Sequence, residues 1–290
     1  MFVGLVYLLF FLSGAAALVY QVVWVRSLTL VFGGSHLAVT AVLSIFMGGL
    51  AIGSYVVGRR VDRVGKPLRL YGLLELGIEV FGGIDLNRAV GGVNPVAVAH
   101  MVIVKGGWGR VVWMPTFDAE HDTLSPDRHR PFVPVSSNGE LLPEVKMVIA
   151  IVSKHHLTLE TGHSSPEEGL MIVREARRQG VQHIVVTHAM LVGMTIPQMQ
   201  EAARLGAYLE FVYNGLIGQG KKFEMRDYAQ AIRAIGPESC ILASDLGQAA
   251  NPLPPDGLSL FFAGLMKEGF SEADIKLMSS TNPARALGLE

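Results

Sequence analysis

The pattern of hydrophobic and polar positions divides the chain into two parts. Residues 2–25 and 27–58 are two long apolar stretches, and Arg26 between them is the only Asp, Glu, Lys or Arg before Arg59. A helix of about 20 apolar residues crosses the hydrocarbon core of a bilayer and satisfies its own backbone hydrogen bonds there. We therefore expect residues 1–58 to form a transmembrane helical hairpin embedded in a lipid bilayer through residues 2–58.

From Glu79 onward, short apolar runs alternate with amphipathic helical patterns. This alternation is typical of an α/β fold with a parallel sheet covered by helices. The predicted strands are Val80–Asn87, Arg110–Thr116, Leu157–His163, His183–His188, Ala207–Tyr213 and Cys240–Asp245. Capping residues and glycines place helices at 165–178, 197–206, 226–235 and 271–279.

One connection, residues 117–143, is too long for an ordinary link between a strand and a helix. Asn138-Gly139 within it predicts a tight turn and a small hairpin. A loop of this size after a strand end is either a lid or part of a site, or a tolerated surface insertion.

Basic residues orient the predicted hairpin. Five Lys and Arg side chains follow the second apolar stretch within residues 59–78, which we interpret as a basic linker with a short helix. The positive-inside rule then places everything after Arg59 in the cytoplasm. A cleaved signal peptide at residues 2–17 is the alternative, and the lack of Lys or Arg before the apolar run disfavours it.

Composition narrows the class of protein further. The chain is 50% hydrophobic and 17% charged, with a net charge of −1, against about 25% charged residues in a typical soluble domain. This excludes a disordered chain, and the near-neutral charge disfavours a nucleic-acid binder. The single cysteine, Cys240, excludes a disulfide scaffold and a zinc site built on cysteines. Oligomeric state stays open.

Three predicted strands end in a residue that binds metals, namely His163, His188 and Asp245. Successive parallel strands point their carboxyl ends the same way, so the three side chains should converge on one face. Two imidazoles and a carboxylate suit a divalent ion, with Zn²⁺ the first choice. Such an ion activates water, and Asp245 is the candidate catalytic residue that accepts its proton.

Each of these residues also has a structural interpretation, because a histidine at a strand end is often only hydrogen-bonded and an aspartate there often caps a helix. The coincidence of all three at matching places favours the metal site. Other side chains at or after strand ends are candidates for binding a small-molecule substrate, or they simply pack and cap there. They are Asn87, Trp113, Tyr213, Gln248 and Asn251.

Two segments resemble known families. FLSGAAALVYQVVWVRSLTLVFG, FMGGLAIGSYVVGRRVDR and PLRLYGLLELGI, within residues 8–78, resemble the membrane region of spermidine-synthase-like proteins. That resemblance implies a membrane anchor. Polyamine synthesis is disfavoured, because the chain has no Gly-x-Gly-x-x-Gly turn for the family's nucleotide-fold domain.

The second resemblance covers residues 79–290. GGIDLNRAVGGVNP, VVWMPTFDAEH, LETGHSSPEE, IVVTHAM, CILASDLGQAANP and TNPARALGLE are similar to the amidohydrolase superfamily. The resemblance implies a (β/α)8 TIM-type barrel and metal-dependent hydrolysis of an amide, ester or related bond of a small molecule. It assigns His163 to strand five, His188 to strand six and Asp245 to strand eight, where the aspartate binds metal and moves the proton.

This sequence departs from the superfamily at its start. The His-x-His motif of strand one, which binds metal, does not occur, and the two resemblances meet near Gly77. We therefore predict an incomplete barrel of about six strands over residues 79–290, with water, Asn87, Asp118 or His121 completing the metal site. The expected function is a membrane-anchored hydrolase of amidohydrolase type, and the alternative is a non-catalytic hybrid of an anchor and a degenerate barrel.

Overall fold

A computed structural model describes residues 81–104, 108–123 and 130–289. Residues from Val80 to Glu290 form one compact unit. The predicted transmembrane hairpin (1–58) and the basic linker (59–78) lie outside the described residues. Within the described ranges, no helix is both long enough and apolar enough to cross a membrane.

Six parallel strands form the main sheet, which confirms the predicted α/β fold and is consistent with a partial TIM-type barrel. The strands are β1 (Gly82–Asp85), β2 (Gly109–Trp113), β5 (Thr158–Glu160), β6 (His183–Val186), β7 (Tyr208–Val212) and β8 (Cys240–Ala243). Their order in the sheet is β1-β2-β5-β6-β7-β8, so each strand pairs with the next one along the chain. All five pairings are parallel.

The connections between the strands are mostly helical, as a parallel sheet requires. The helices are α1 (Pro95–Val102), α2 (Glu120–Thr123), α3 (Pro143–Lys154), α4 (Pro166–Arg178), α5 (Ile196–Arg204), α6 (Met225–Ile235), α7 (Pro254–Lys267), α8 (Glu272–Lys276) and α9 (Asn282–Ala286). The predicted cap of α4 is present, since the Ser165 side chain accepts from the Glu168 N–H and the Glu168 side chain accepts from the Ser165 N–H.

The long connection carries the predicted hairpin. β3 (Ser136–Ser137) pairs with β4 (Glu140–Leu141) in antiparallel fashion. Asn138 and Gly139 both have positive φ at the turn, 51° and 78°, as a two-residue hairpin turn requires. Earlier in the connection, α2 brings Asp122 close to His163, which follows β5.

The sheet has two faces of different character, because successive side chains of a strand point in opposite directions. Ile184 and Val186 belong to the large hydrophobic core shared with the helices. Val185, between them, packs with Ile241 and Ala286 in a small second cluster. The same alternation puts Glu160 and other ionisable residues on the second face.

The C-terminal segment covers the amino ends of the strands. Asn282 is fully buried, and its Nδ2 donates to the carbonyl oxygens of Cys240 (2.7 Å) and Pro237 (2.9 Å). The Thr158 hydroxyl donates to the Ala286 carbonyl at 2.6 Å. Through these hydrogen bonds the C-terminal segment closes the sheet at the amino ends of its strands. The carboxyl ends remain open.

Candidate active site

The three predicted metal-binding side chains meet at the carboxyl ends of the strands. The rings of His163 and His188 have centroids 5.2 Å apart. Nε2 of His188 lies 3.8 Å from Oδ2 of Asp245. These residues follow β5, β6 and β8, so convergence of parallel strand ends brings together side chains that are far apart in sequence.

Two of the three residues have unusual backbone conformations. His188 and Asp245 have φ of 48° and 49°, the left-handed region that side chains other than glycine rarely adopt. Among the described residues, Asn138 and His156 are the only other non-glycine residues with positive φ. Asn, Asp and His enter this region more often than other side chains, but His188 and Asp245 are the two of the four that line a cavity, where unusual backbone conformations often mark functional sites.

The placement of His163 depends on the loop before it. Gly162 has a φ of 61°, and a Cβ there would collide with the carbonyl oxygens of Met114 and Pro115. The His163 N–H donates to the Pro115 carbonyl at 2.9 Å. Nδ1 of His163 lies 2.6 Å from Oδ2 of Asp122, so the α2 carboxylate orients the imidazole.

Glu210 of β7 holds His188 in place. Its Oε2 accepts from the His188 backbone N–H at 3.1 Å and lies 2.9 Å from Nδ1 of the ring. That second contact is electrostatic, since Nδ1 is buried without an aligned hydrogen-bond partner. Burial lowers the pKa of His188, but the adjacent Glu210, with Asp245 and Glu160, outweighs burial and raises the pKa above its ordinary value.

Another carboxyl, that of Glu160, lies close to these side chains. Glu160 accepts from the Thr187 hydroxyl at 3.0 Å. Burial, together with the negative charge of Glu210, raises the pKa of Glu160 to about 8. Thr187 and Thr161 also bridge β5 and β6, because the Gly162 N–H donates to the Thr187 hydroxyl and the Thr187 N–H donates to the Thr161 hydroxyl. This network fixes the spacing of the loops that carry His163 and His188.

An open cavity of about 910 Å³ lies over these side chains, and such a volume admits a substrate of drug size. Its lining includes His163, His188, Asp245, Asp122 and Glu210 together with Trp113, Thr116, Phe117, Thr187, Leu191, Val192, Asn214, Gly220, Lys222 and Gln248. Two predicted substrate-binding residues, Trp113 and Gln248, therefore lie on the cavity.

The other predicted substrate-binding residues lie elsewhere. The Asn87 side chain accepts from the N–H groups of Thr116 and Asp118, and so braces the loop after β2. Tyr213 is buried and stacks on Phe261, with ring centroids 5.6 Å apart. Asn251 is not part of the cavity lining, and its Nδ2 donates to the side-chain oxygens of Asn214 and Gln248. A substrate-binding role for all five residues stays a prediction.

Candidates for completing a metal site also have other roles. Asp118 accepts from the Arg88 N–H at 3.0 Å. Nε2 of His121 lies 3.1 Å from the Val192 carbonyl oxygen. The residue of this segment that reaches His163 is Asp122.

Asp122, Glu160, Glu210 and Lys222 are site residues that the sequence reasoning missed. Glu160 and Glu210 interrupt apolar strands, and a carboxylate within a buried strand was the available signal. Asp122 gave no comparable signal, since its position depends on how the long connection folds back over the sheet.

His163, His188 and Asp245 are residue types that bind divalent ions, because Zn²⁺ takes imidazole and carboxylate ligands. Asp122 and Glu210 each approach Nδ1 of a histidine, and carboxylates in that position commonly orient histidine ligands. In the described part of the chain, no three His, Cys, Asp or Glu side chains are already grouped closely enough to hold a metal. Binding would therefore require His163, His188 and Asp245 to draw together.

Solved structures with a similar fold include an amidohydrolase from Burkholderia multivorans with bound zinc, at 13% identity and a TM-score of 0.52. The match covers 77% of this chain and 78% of that one. An amidohydrolase from Pseudomonas aeruginosa matches at 14% identity and a TM-score of 0.49, covering 66% and 67% of the two chains. An organophosphorus hydrolase from Deinococcus radiodurans matches at 16% and 0.47, covering 69% and 64%.

The first of these similarities supports an amidohydrolase-type fold. The chain spans about two thirds of the length of the other two structures.

Sequence comparison gives the family. No curated protein shows a significant match to the chain. The model of DUF6282, a family of unknown function, matches residues 64–210. The match begins inside the predicted linker and includes His163 and His188, whereas Asp245 lies beyond its end. Because it spans slightly more than half of the 290 residues, the chain belongs to the DUF6282 family.

Proposed function

We propose that this protein is a metal-dependent hydrolase of amidohydrolase type that acts on an amide, ester or related bond of a small molecule. The observation that carries the proposal is the meeting of His163, His188 and Asp245 over one cavity, with Nε2 of His188 3.8 Å from Asp245. The zinc in the Burkholderia multivorans amidohydrolase supports the choice of a divalent ion.

In this proposal His163, His188 and Asp245 hold the ion, with Zn²⁺ the first choice. A bound divalent ion supplies Lewis acidity to the substrate carbonyl and to the attacking water. The protein's own contribution begins with orientation. Asp122 contacts Nδ1 of His163 at 2.6 Å, and Glu210 accepts from the His188 backbone N–H at 3.1 Å and lies 2.9 Å from Nδ1 of its ring.

In the proposed mechanism, Asp245 is the general base. It lines the cavity and is partly exposed, so water reaches it. Nδ2 of Asn214 donates to its Oδ2 at 3.0 Å, which holds the carboxylate in a defined orientation. Asp245 accepts the proton of the attacking water and returns it to the leaving group. Trp113, Phe117 and Leu191 supply the apolar part of the wall against which a substrate packs.

The test is hydrolysis of a panel of 4-nitrophenyl esters and anilides by the full-length chain, with and without added Zn²⁺. We expect turnover that a chelator removes and Zn²⁺ restores. His188→Ala should abolish it, while His155→Ala, an exposed histidine outside the cavity, should not. Turnover unaffected by both the chelator and His188→Ala would contradict the proposal.

A binding role without turnover is the second candidate. It is favoured by the lack of a ready group of three metal donors among the described residues and by the missing His-x-His motif. A ligand bound in the cavity of a chain that hydrolyses no member of the panel would support it.

Membrane attachment through residues 2–58, with the barrel in the cytoplasm, is a separate proposal that rests on the charge pattern. Membrane fractionation, with and without alkaline carbonate, tests it. Release of the chain by carbonate would contradict an integral hairpin.

A further inference from the structure

Lys222 is the only Lys or Arg among the described residues that line the cavity. It is exposed and forms no ion pair within the described part of the chain. Its neighbour Lys221 differs, because Nζ of Lys221 lies 2.8 Å from Oε1 of Glu224 and Lys221 is not part of the lining. Two adjacent lysines therefore have different surroundings, and the one in the cavity is the unpaired one.

The acidic side chains that line the cavity form no ion pair with Lys222. Asp122 contacts His163 at 2.6 Å, and Glu210 contacts His188 at 2.9 Å. Asp245 accepts from Asn214. Each lining carboxylate is thus engaged with a nearer group, so the Lys222 charge stays available to a molecule that enters the cavity.

The backbone holds Lys222 in a fixed place. The N–H groups of Lys222 and Phe223 both donate to the Gly215 carbonyl, at 2.9 Å and 3.2 Å. Gly220 packs so closely on Asn214 that a Cβ there would lie 2.7 Å from two Asn214 oxygens. The loop that carries Lys222 is therefore closely packed on the turn after β7, so the backbone at Lys222 is already positioned before a ligand enters.

We propose that Lys222 binds an oxyanion group of the substrate, a carboxylate or a phosphate, at a distance from the bond that is cleaved. The inference rests on the proposed function and deepens it, since it makes the substrate an anionic small molecule. An ammonium group binds either oxyanion as a compact point charge. The cavity of about 910 Å³ leaves room for such a group beside the reacting bond.

The test compares two matched esters, mono-4-nitrophenyl glutarate and its methyl ester, which differ by one carboxylate. We expect full-length protein to prefer the charged ester in kcat/KM. Lys222→Gln should lower that preference about 10-fold or more, the usual effect of one charge-assisted hydrogen bond. Lys221→Gln is the matched control and should leave the preference unchanged. Equal preference in wild type and Lys222→Gln would overturn a carboxylate site at Lys222 and leave only the phosphate site, which the titration below tests.

A second measurement does not depend on turnover. Calorimetric titration with glutarate and, separately, with inorganic phosphate measures binding by wild type and both lysine variants. Weaker binding of glutarate alone in Lys222→Gln indicates a carboxylate site, and weaker binding of phosphate alone indicates a phosphate site. Binding that is equal in wild type and Lys222→Gln, or absent from wild type, would overturn the role of Lys222. Failure of the hydrolase proposal is seen separately, as ester turnover that neither the chelator nor His188→Ala changes.

Discussion

Polar side chains have different roles at the amino and the carboxyl ends of the six parallel strands. At the amino ends, the side chains of Asn282 and Thr158 donate to backbone carbonyls and close the sheet against the C-terminal segment. At the carboxyl ends, His188 and Asp245 sit in strained backbone conformations beside a cavity. Polar groups at the first end pair with backbone carbonyls and stabilise the fold, whereas those at the second line a cavity in backbone conformations that are often found at functional sites.

The largest effect expected from this comparison is the loss of turnover in Asp245→Asn. Asparagine tolerates the left-handed backbone, so the fold should persist while the general base is lost. We expect kcat to fall by about 10²–10⁴-fold, the usual contribution of general acid–base catalysis. Steady-state kinetics measures this. Asp256→Asn, on the exposed first turn of α7, is the control, and equal kcat values in the two variants would remove Asp245 from the mechanism.

A substitution at the opposite end should separate stability from activity. Asn282→Ala removes donors from the carbonyls of Cys240 and Pro237. Unfolding free energy should fall by about 1–3 kcal/mol, the cost of leaving buried acceptors unpaired. Urea denaturation measures the fall, and kcat/KM of the folded variant should be unchanged. A variant that keeps full stability but loses activity would show that the two ends are not functionally distinct.

The raised pKa of Glu160 predicts how stability depends on pH. The native carboxyl keeps its proton to about pH 8, whereas the reference pKa for glutamate is 4.5. Between these values the native state binds more protons than the unfolded state, so the free energy of unfolding should fall as pH rises. Glu160→Gln cannot titrate and should flatten this decline. Denaturation at a series of pH values tests it, with exposed Glu144→Gln as control, and an unchanged slope would contradict the assignment.

The smallest expected effect concerns His156, which has a positive φ near the amino end of β5. His156 precedes β5 with a φ of 52°, is exposed and is not part of the cavity lining. His156→Gly should stabilise the protein by about 0.5–1 kcal/mol, because glycine adopts this conformation without steric cost. Thermal unfolding measures the gain, and turnover should not change. Lower stability would show that other contacts of His156 outweigh its backbone strain.

Much of the sheet was predictable from local sequence. The apolar runs around Leu159, Ile184 and Leu209 gave the strands, and Ser165 with Glu168 gave the start of α4. Convergence of His163, His188 and Asp245 followed from the common direction of parallel strands, and the geometry brings them together.

The remaining parts of the site depended on information that local patterns do not contain. Tyr213 packs on Phe261 and Asn87 braces a neighbouring loop, because the turn just after a strand decides where its side chains point. The approach of Asp122 to His163 is a contact between residues 41 positions apart, produced by the fold of the long connection. Glu210 is placed by the register of β7 against β6, which pairs Val185 with Tyr208.

Metal binding tests the central claim most directly. Calorimetric titration of the metal-free, full-length chain with Zn²⁺ is compared with the His163→Ala/His188→Ala variant and with a control in which exposed His155 and His156 are both alanine. The proposed site predicts saturable binding by wild type and the control, and its loss from the His163/His188 variant. Equal Zn²⁺ binding by all three proteins, or no binding by wild type, would contradict it.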